Sequence, residues 1–160
     1  MKTLTMMILL ALAANTAAGQ NSSQFSHTLT TSAPASDIWR IWTDVPNWHV
    51  WDSGLRSAEL LGPFALGTKG KLLPDKGPKA RFRITEFSEG QGYTFATSIP
   101  LGKLIVARRL HREGNQTVFT HDVQFTGPLK GIFARSLGKR YRKMLPEAME
   151  AIRRLAETQS

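Results

Sequence analysis

Phe25, His27, Leu29 and Thr31 alternate with Ser26, Thr28 and Thr30, and this period of two predicts a strand with one face turned inward. The pattern breaks at Ser32-Ala33-Pro34, where a capping serine and a proline in the first turn predict a helix entry. Ile38, Trp39, Ile41 and Trp42 give that helix a bulky apolar face suited to packing on a sheet. Asp44-Val45-Pro46 ends it, and residues 47–51 read as a short irregular or helical turn.

Strand-like texture then runs through residues 55–125. Segments 55–61, 69–73, 80–87, 93–99, 104–112 and 117–126 are punctuated by Gly62-Pro63, by the turn-rich 74–78, by Glu89-Gly90-Gln91-Gly92 and by Gly114-Asn115. After Gly127-Pro128 the period lengthens. Phe133, Leu137, Tyr141, Met144, Ala148, Ile152 and Leu155 recur at spacings of three and four, one face of a long helix that Pro146 is expected to kink. One strand, a helix, about six more strands and a long helix predict an α+β fold, an antiparallel sheet with its helices gathered on one face.

The last hairpin has an arguable register. A two-residue turn at Gly114-Asn115 pairs Glu113 with Gln116, and stepping back pairs Leu110 with Phe119. The same face then sets Arg108 opposite His121, Val106 opposite Val123 and Leu104 opposite Phe125. Most of that face is apolar, so it should be the one turned towards the last helix. Arg108 and His121 are then two polar groups in an apolar wall, the common form of a ligand pocket. A longer turn would slip the register by one and put both in water.

Composition narrows the classes. The chain has 160 residues and a formal charge of +9, and it contains no cysteine. Disulfides, thiol catalysis, zinc–thiolate sites and iron–sulfur clusters are thereby excluded. Lys2, the uncharged apolar run 4–14 and the small residues Ala17-Ala18-Gly19 have the layout of a secretory signal peptide, expected to be cleaved after Ala18 or Gly19. The run is shorter than the roughly 20 residues a bilayer span needs. The expected division is a leader over residues 1–19 and one ligand-binding domain over 20–160, soluble and exported to a periplasm or secreted.

Several stretches carry a family likeness: 33–39, Asp44, the tryptophans of 47–51, Gly62-Pro63-Phe64 with Gly67-Thr68, 83–87, 114–117, Leu145-Pro146-Glu147 and Leu155-Ala156-Glu157. In this order and spacing the chain resembles the START-like (SRPBCC) superfamily, in particular its polyketide cyclase/dehydrase branch, over residues 26–157. The resemblance implies a helix-grip fold: a curved antiparallel sheet of about six to seven strands around a long C-terminal α-helix, with a cavity between them. It also implies an apolar or amphipathic small-molecule ligand. The leader sets the chain apart from the usual cytosolic members.

The expected ligand wall is Val106, Arg108, Phe119, His121 and Val123 on the hairpin, with Phe133, Leu137 and Tyr141 on the last helix. Gly131 and Gly138 either leave room for ligand along that helix or permit close helix–sheet packing. Arg108 suits a carboxylate or enolate oxygen, and His121 suits a hydrogen bond or a proton transfer. His49 and Asp52 lie three apart in what reads as an exposed polar loop, His27 as a pocket or core residue, and His111 as outward-facing. Trp39 and Trp42 fit the core, while Trp48 and Trp51 fall where such folds close the cavity mouth. Lys139, Arg140, Arg142 and Lys143 form a solvated basic face, or one that touches anionic membrane lipid during ligand exchange. No metal, dinucleotide, phosphate-loop or Ser/His/Asp motif is present, so no cofactor or metal is expected. No nucleic-acid recognition motif is present either. The reading is a binding protein for a small apolar or amphipathic molecule. The alternatives are a small cyclase, dehydratase or aromatase using Arg108 and His121, and a membrane-surface lipid carrier.

Overall fold

The period-two segments become seven strands. The computed structural model describes residues 23–159, with β1 at Gln24–Thr31, α1 at Ala35–Thr43, a 3-10 turn at Val45–Asn47 and α2 at Trp48–Trp51. The strands β2 (Leu55–Leu60), β3 (Lys69–Pro74), β4 (Ala80–Ser88), β5 (Gly92–Ile99), β6 (Gly102–Glu113) and β7 (Gln116–Thr126) follow, and α3 occupies Lys130–Glu157. The expected leader lies outside the described residues.

All strands join one antiparallel sheet in the order β1-β7-β6-β5-β4-β3-β2. Consecutive strands from β2 to β7 are neighbours, whereas β1 pairs with β7 at the far edge. The chain must therefore cross from one edge of the sheet to the other between β1 and β2, and α1, the 3-10 turn and α2 make that crossing. The β6–β7 register is the expected one, with Arg108 paired to His121 and Glu113 to Gln116. Gly114 sits at φ +57° in the connecting turn, the left-handed region that glycine enters without steric cost.

The strands bury alternate residues. Leu104, Val106, Arg108 and Leu110 of β6 and Phe119, His121, Val123 and Phe125 of β7 turn to the concave face, where α3 lies. The helix stripe that meets them is Ala134, Gly138, Leu145, Ala148, Met149, Ile152 and Ala156. Gly138 faces Phe125 of β7: a Cβ there would meet its ring at 3.4 Å, ordinary contact, with no room for anything longer. Gly131 faces open space.

Three expectations need correction. Leu137 is 38% exposed instead of lining the interior, because it lies about 100° around the helix from the buried Gly138. The capping position of α1 belongs to Pro34 and not to Ser32; the Asp37 N–H donates to the Pro34 carbonyl at 3.0 Å. Asp52 is half-buried and not exposed. Pro146, for its part, sits inside an α3 that continues through it for 28 residues.

Candidate functional site

Register builds the site. Tyr93 pairs with Arg108, Arg108 with His121, and His121 with His27, so β5, β6, β7 and β1 each place one polar side chain in a single row. Paired residues of an antiparallel sheet point to the same face, and here that face is the concave one. Arg108 is 3% exposed and His121 2%. The row contains no carboxylate.

The crossing segment covers the row. The Arg108 guanidinium carbon lies 4.6 Å from the Trp48 ring centre and 4.8 Å from that of Trp51, both on α2. Tyr93 and Phe95 approach it from β5 at 5.4 and 5.3 Å. Such contacts stabilise a cation by ~0.5–2 kcal/mol each, which offsets part of the several kcal/mol that burying an uncompensated charge costs. The Trp48 indole N–H donates to the carbonyl of Trp42 at 2.9 Å, and the Tyr93 hydroxyl donates to the same oxygen at 3.0 Å. That one carbonyl thus ties the end of α1 to α2 and β5.

Arg108 Nη1 donates to Tyr93 Oη. Arg108 Nε, His121 Nε2, Trp42 Nε1 and Trp51 Nε1 are buried and have no hydrogen-bond partner among the protein atoms. The four side chains form a chain of contacts: the His121 ring is tilted against Trp42 at 5.3 Å and meets Trp51 edge-on at 6.4 Å, and Trp51 in turn covers Arg108. Buried donors are nearly always paired in native proteins, so four orphans in one cluster mark a place built for something besides packing.

Charge around the cluster is skewed. Burial, with help from the Arg108 cation and from His27, holds His121 well below the ordinary histidine range, so it is neutral near pH 7. Burial pushes the Tyr93 phenol up to about 12, against the pull of Arg108. Asp52, just after α2, accepts from the Gly54 N–H at 2.9 Å. Burial raises its carboxyl despite that bond and the Arg108 and Arg140 cations. Tyr141 on α3 is pushed up to about 12 by burial and by the Asp52 charge.

The structure gathers Val106, Arg108, Phe119, His121 and Val123 on one buried wall, with Phe133 and Tyr141 of α3 partly buried against it. Leu137 does not join them. His49 is exposed and bonds its own Pro46 carbonyl, and His111 faces water beside Glu113. Tyr93, as the acceptor for Arg108, and Asp52, as a buried carboxyl that feels its charge, were missed. A cue for Tyr93 existed in the β5–β6 register, but no tight-turn motif marks that hairpin. On the basic helix face Arg140 lies 3.9 Å from Asp75, and Arg142 sits over Phe25 while staying exposed with Lys139 and Lys143.

The rings of Trp48, Trp51, Tyr93 and Phe95 surround the Arg108 guanidinium at 4.6 to 5.4 Å. Two open grooves of about 470 Å³ each lie elsewhere, one on the convex face by Glu86, Thr94 and Arg109, the other beside Val45, Pro46 and Leu60. Among the described residues no group of His, Asp or Glu side chains could hold a metal, and no helix is long and apolar enough to cross a membrane.

A curved sheet wrapped on a long C-terminal helix, with polar groups set inside it, defines a helix-grip protein. The chain belongs to the polyketide cyclase / dehydrase and lipid transport family, whose model matches residues 22–157. No curated protein matches. Among solved structures the fold is similar to a hypothetical protein from Helicobacter pylori, at TM-score 0.71 and 10% identity over 96% of this chain and 99% of that one. A Mesorhizobium loti protein gives TM-score 0.70 and 14% identity over 86% of this chain and 98% of that one. Norcoclaurine synthase from Thalictrum flavum, solved with dopamine and hydroxybenzaldehyde, gives 0.65 and 16% over 96% of this chain and 99% of that one.

Proposed function

We propose that this protein is an exported carrier for one small apolar or amphipathic molecule, held between the concave face of the sheet and α3. The observation that supports this reading is the cluster of orphaned buried donors around Arg108 and His121, set in an aromatic wall. Entry would pass through α2, because its Trp48 and Trp51 cover the row and the segment is only four residues long. Native mass spectrometry of protein purified from its host tests the reading, with a copurifying small molecule expected. Protein that is ligand-free and also fails to bind an environment-sensitive apolar dye would overturn it.

Export rests on the leader pattern of residues 1–19. N-terminal sequencing of exported protein should begin near Gly19 or Gln20, and retention in the cytosol with Met1 in place would refute it. Exchange at an anionic membrane surface is supported by the end of the molecule where α3 begins. There Leu101 is 71% exposed at φ +54°, Ile132 is exposed, and residues 126–146 contain no acidic side chain. Cosedimentation with phosphatidylglycerol vesicles but not with phosphatidylcholine vesicles is the expected result.

One observation favours the enzymatic alternative. Asp52 and His121 both feel Arg108, and their environments push the carboxyl up and the imidazole down, the pattern of an acid and a base sharing a site. Turnover of an enolisable substrate that disappears in both Asp52→Asn and His121→Phe would establish it.

A further inference from the structure

The row on the concave face is one-sided in its chemistry. Arg108 can only donate, Tyr93 already receives one of its bonds, and the orphaned Trp42 and Trp51 indoles can only donate. Among the described residues no carboxylate comes within ion-pair distance of Arg108; Asp52, whose carboxyl feels the Arg108 charge, accepts from the Gly54 N–H instead. The tryptophan rings attract the cation but offer no lone pair, so they leave the Nε–H unanswered. A protein that needed only a packed core would fill this position with leucine or methionine, as it does at Leu104 and Leu110 on the same strand.

We propose that the ligand is an organic monocarboxylate: its oxygens accept from Arg108 Nε and His121 Nε2, and its apolar body lies among the aromatic rings. The inference rests on the carrier reading above and names the chemical class it carries. A neutral His121 suits this arrangement, since it donates from the Nε2–H tautomer while Arg108 alone balances the single negative charge. The indole of Trp51, in contact with both side chains, stands beside them as a further donor. A neutral ester or amide of the same body keeps the apolar contacts and loses the charge that Arg108 lacks a partner for.

The test is calorimetric titration of the delipidated full-length mature protein at pH 8 with two matched pairs. One pair is 2-naphthoate and its methyl ester, the other dodecanoate and its methyl ester, so that aromatic and aliphatic bodies are told apart. At least one acid should bind tenfold or more tighter than its ester. Arg108→Met should erase that advantage while leaving the ester's affinity within about threefold. Arg108→Gln removes the cation but keeps an N–H donor, and it should lose most of the preference; it serves if the Met variant does not fold. Equal binding of acid and ester, or an acid preference that survives in these variants, overturns the carboxylate assignment and leaves the carrier reading standing. Failure of all four probes to bind overturns both.

Discussion

Arg108 donates from Nη1 to Tyr93 Oη, and the same hydroxyl donates onward to the Trp42 carbonyl at 3.0 Å. The phenol therefore links the buried cation on β6 to the end of α1. Tyr93→Phe removes the acceptor from Arg108 and leaves another guanidinium donor buried without a partner. A destabilisation of about 1–3 kcal/mol is expected from the denaturant midpoint. A change below ~0.5 kcal/mol would mean that the cation is satisfied elsewhere.

His121 makes stability depend on pH in a defined direction. Its folded form resists protonation, whereas the unfolded chain takes the proton near pH ~6.5. Below that pH the unfolded state binds more protons, so the stabilisation is complete above about 6.5 and is lost as pH falls towards the folded value. Denaturant midpoints measured from about pH 7.5 down to about pH 5.5 should fall more steeply in the wild type than in His121→Phe. The comparison with the variant cancels Asp52, whose raised carboxyl acts with the opposite sign. Parallel curves would contradict a buried neutral imidazole.

Gly138 lets α3 approach Phe125 closely. Gly138→Leu would drive a branched side chain into that ring, and overpacking of this kind costs about 1–3 kcal/mol. Gly131→Leu is the control. Its Cβ would meet nothing within 4 Å, so thermal melting should move little or upwards.

Leu101 occupies the left-handed region at the tip of the β5–β6 turn, a conformation that costs a bulky L-residue ~1–2 kcal/mol. Leu101→Gly relieves that strain, and the melting temperature should rise or hold. If the exposed leucine inserts into lipid, the same variant should cosediment with anionic vesicles several-fold less well. Unchanged cosedimentation would remove this turn from the membrane contact.

Much of the architecture was legible along the chain because it depends on local periods. The alternation of β6 and β7 about Gly114-Asn115 was enough to pair Arg108 with His121, since a strand's two-residue period admits one inward set for a given turn. The three- and four-residue spacing after Gly127 likewise announced α3. The helix face was read less well. Leu137 fits the apolar spacing, yet the helix settles on small residues, Ala134 and Gly138, because the bulk at that contact comes from Phe125 across the gap.

What the sequence determined by itself was the set of inward positions on each element, because side-chain direction follows from backbone period and turn chemistry. Tertiary structure alone decided which inward groups meet. Asp52 and Trp51 lie 56 and 57 residues from Arg108 in the chain, and no local pattern ties them to it. They converge because β1 pairs with the distant β7, which forces α1 and α2 across the mouth of the sheet and lays two indoles over the guanidinium. The charge state of His121 is likewise a product of that closure, since burial is a property of the assembled interior and not of a residue's neighbours in sequence.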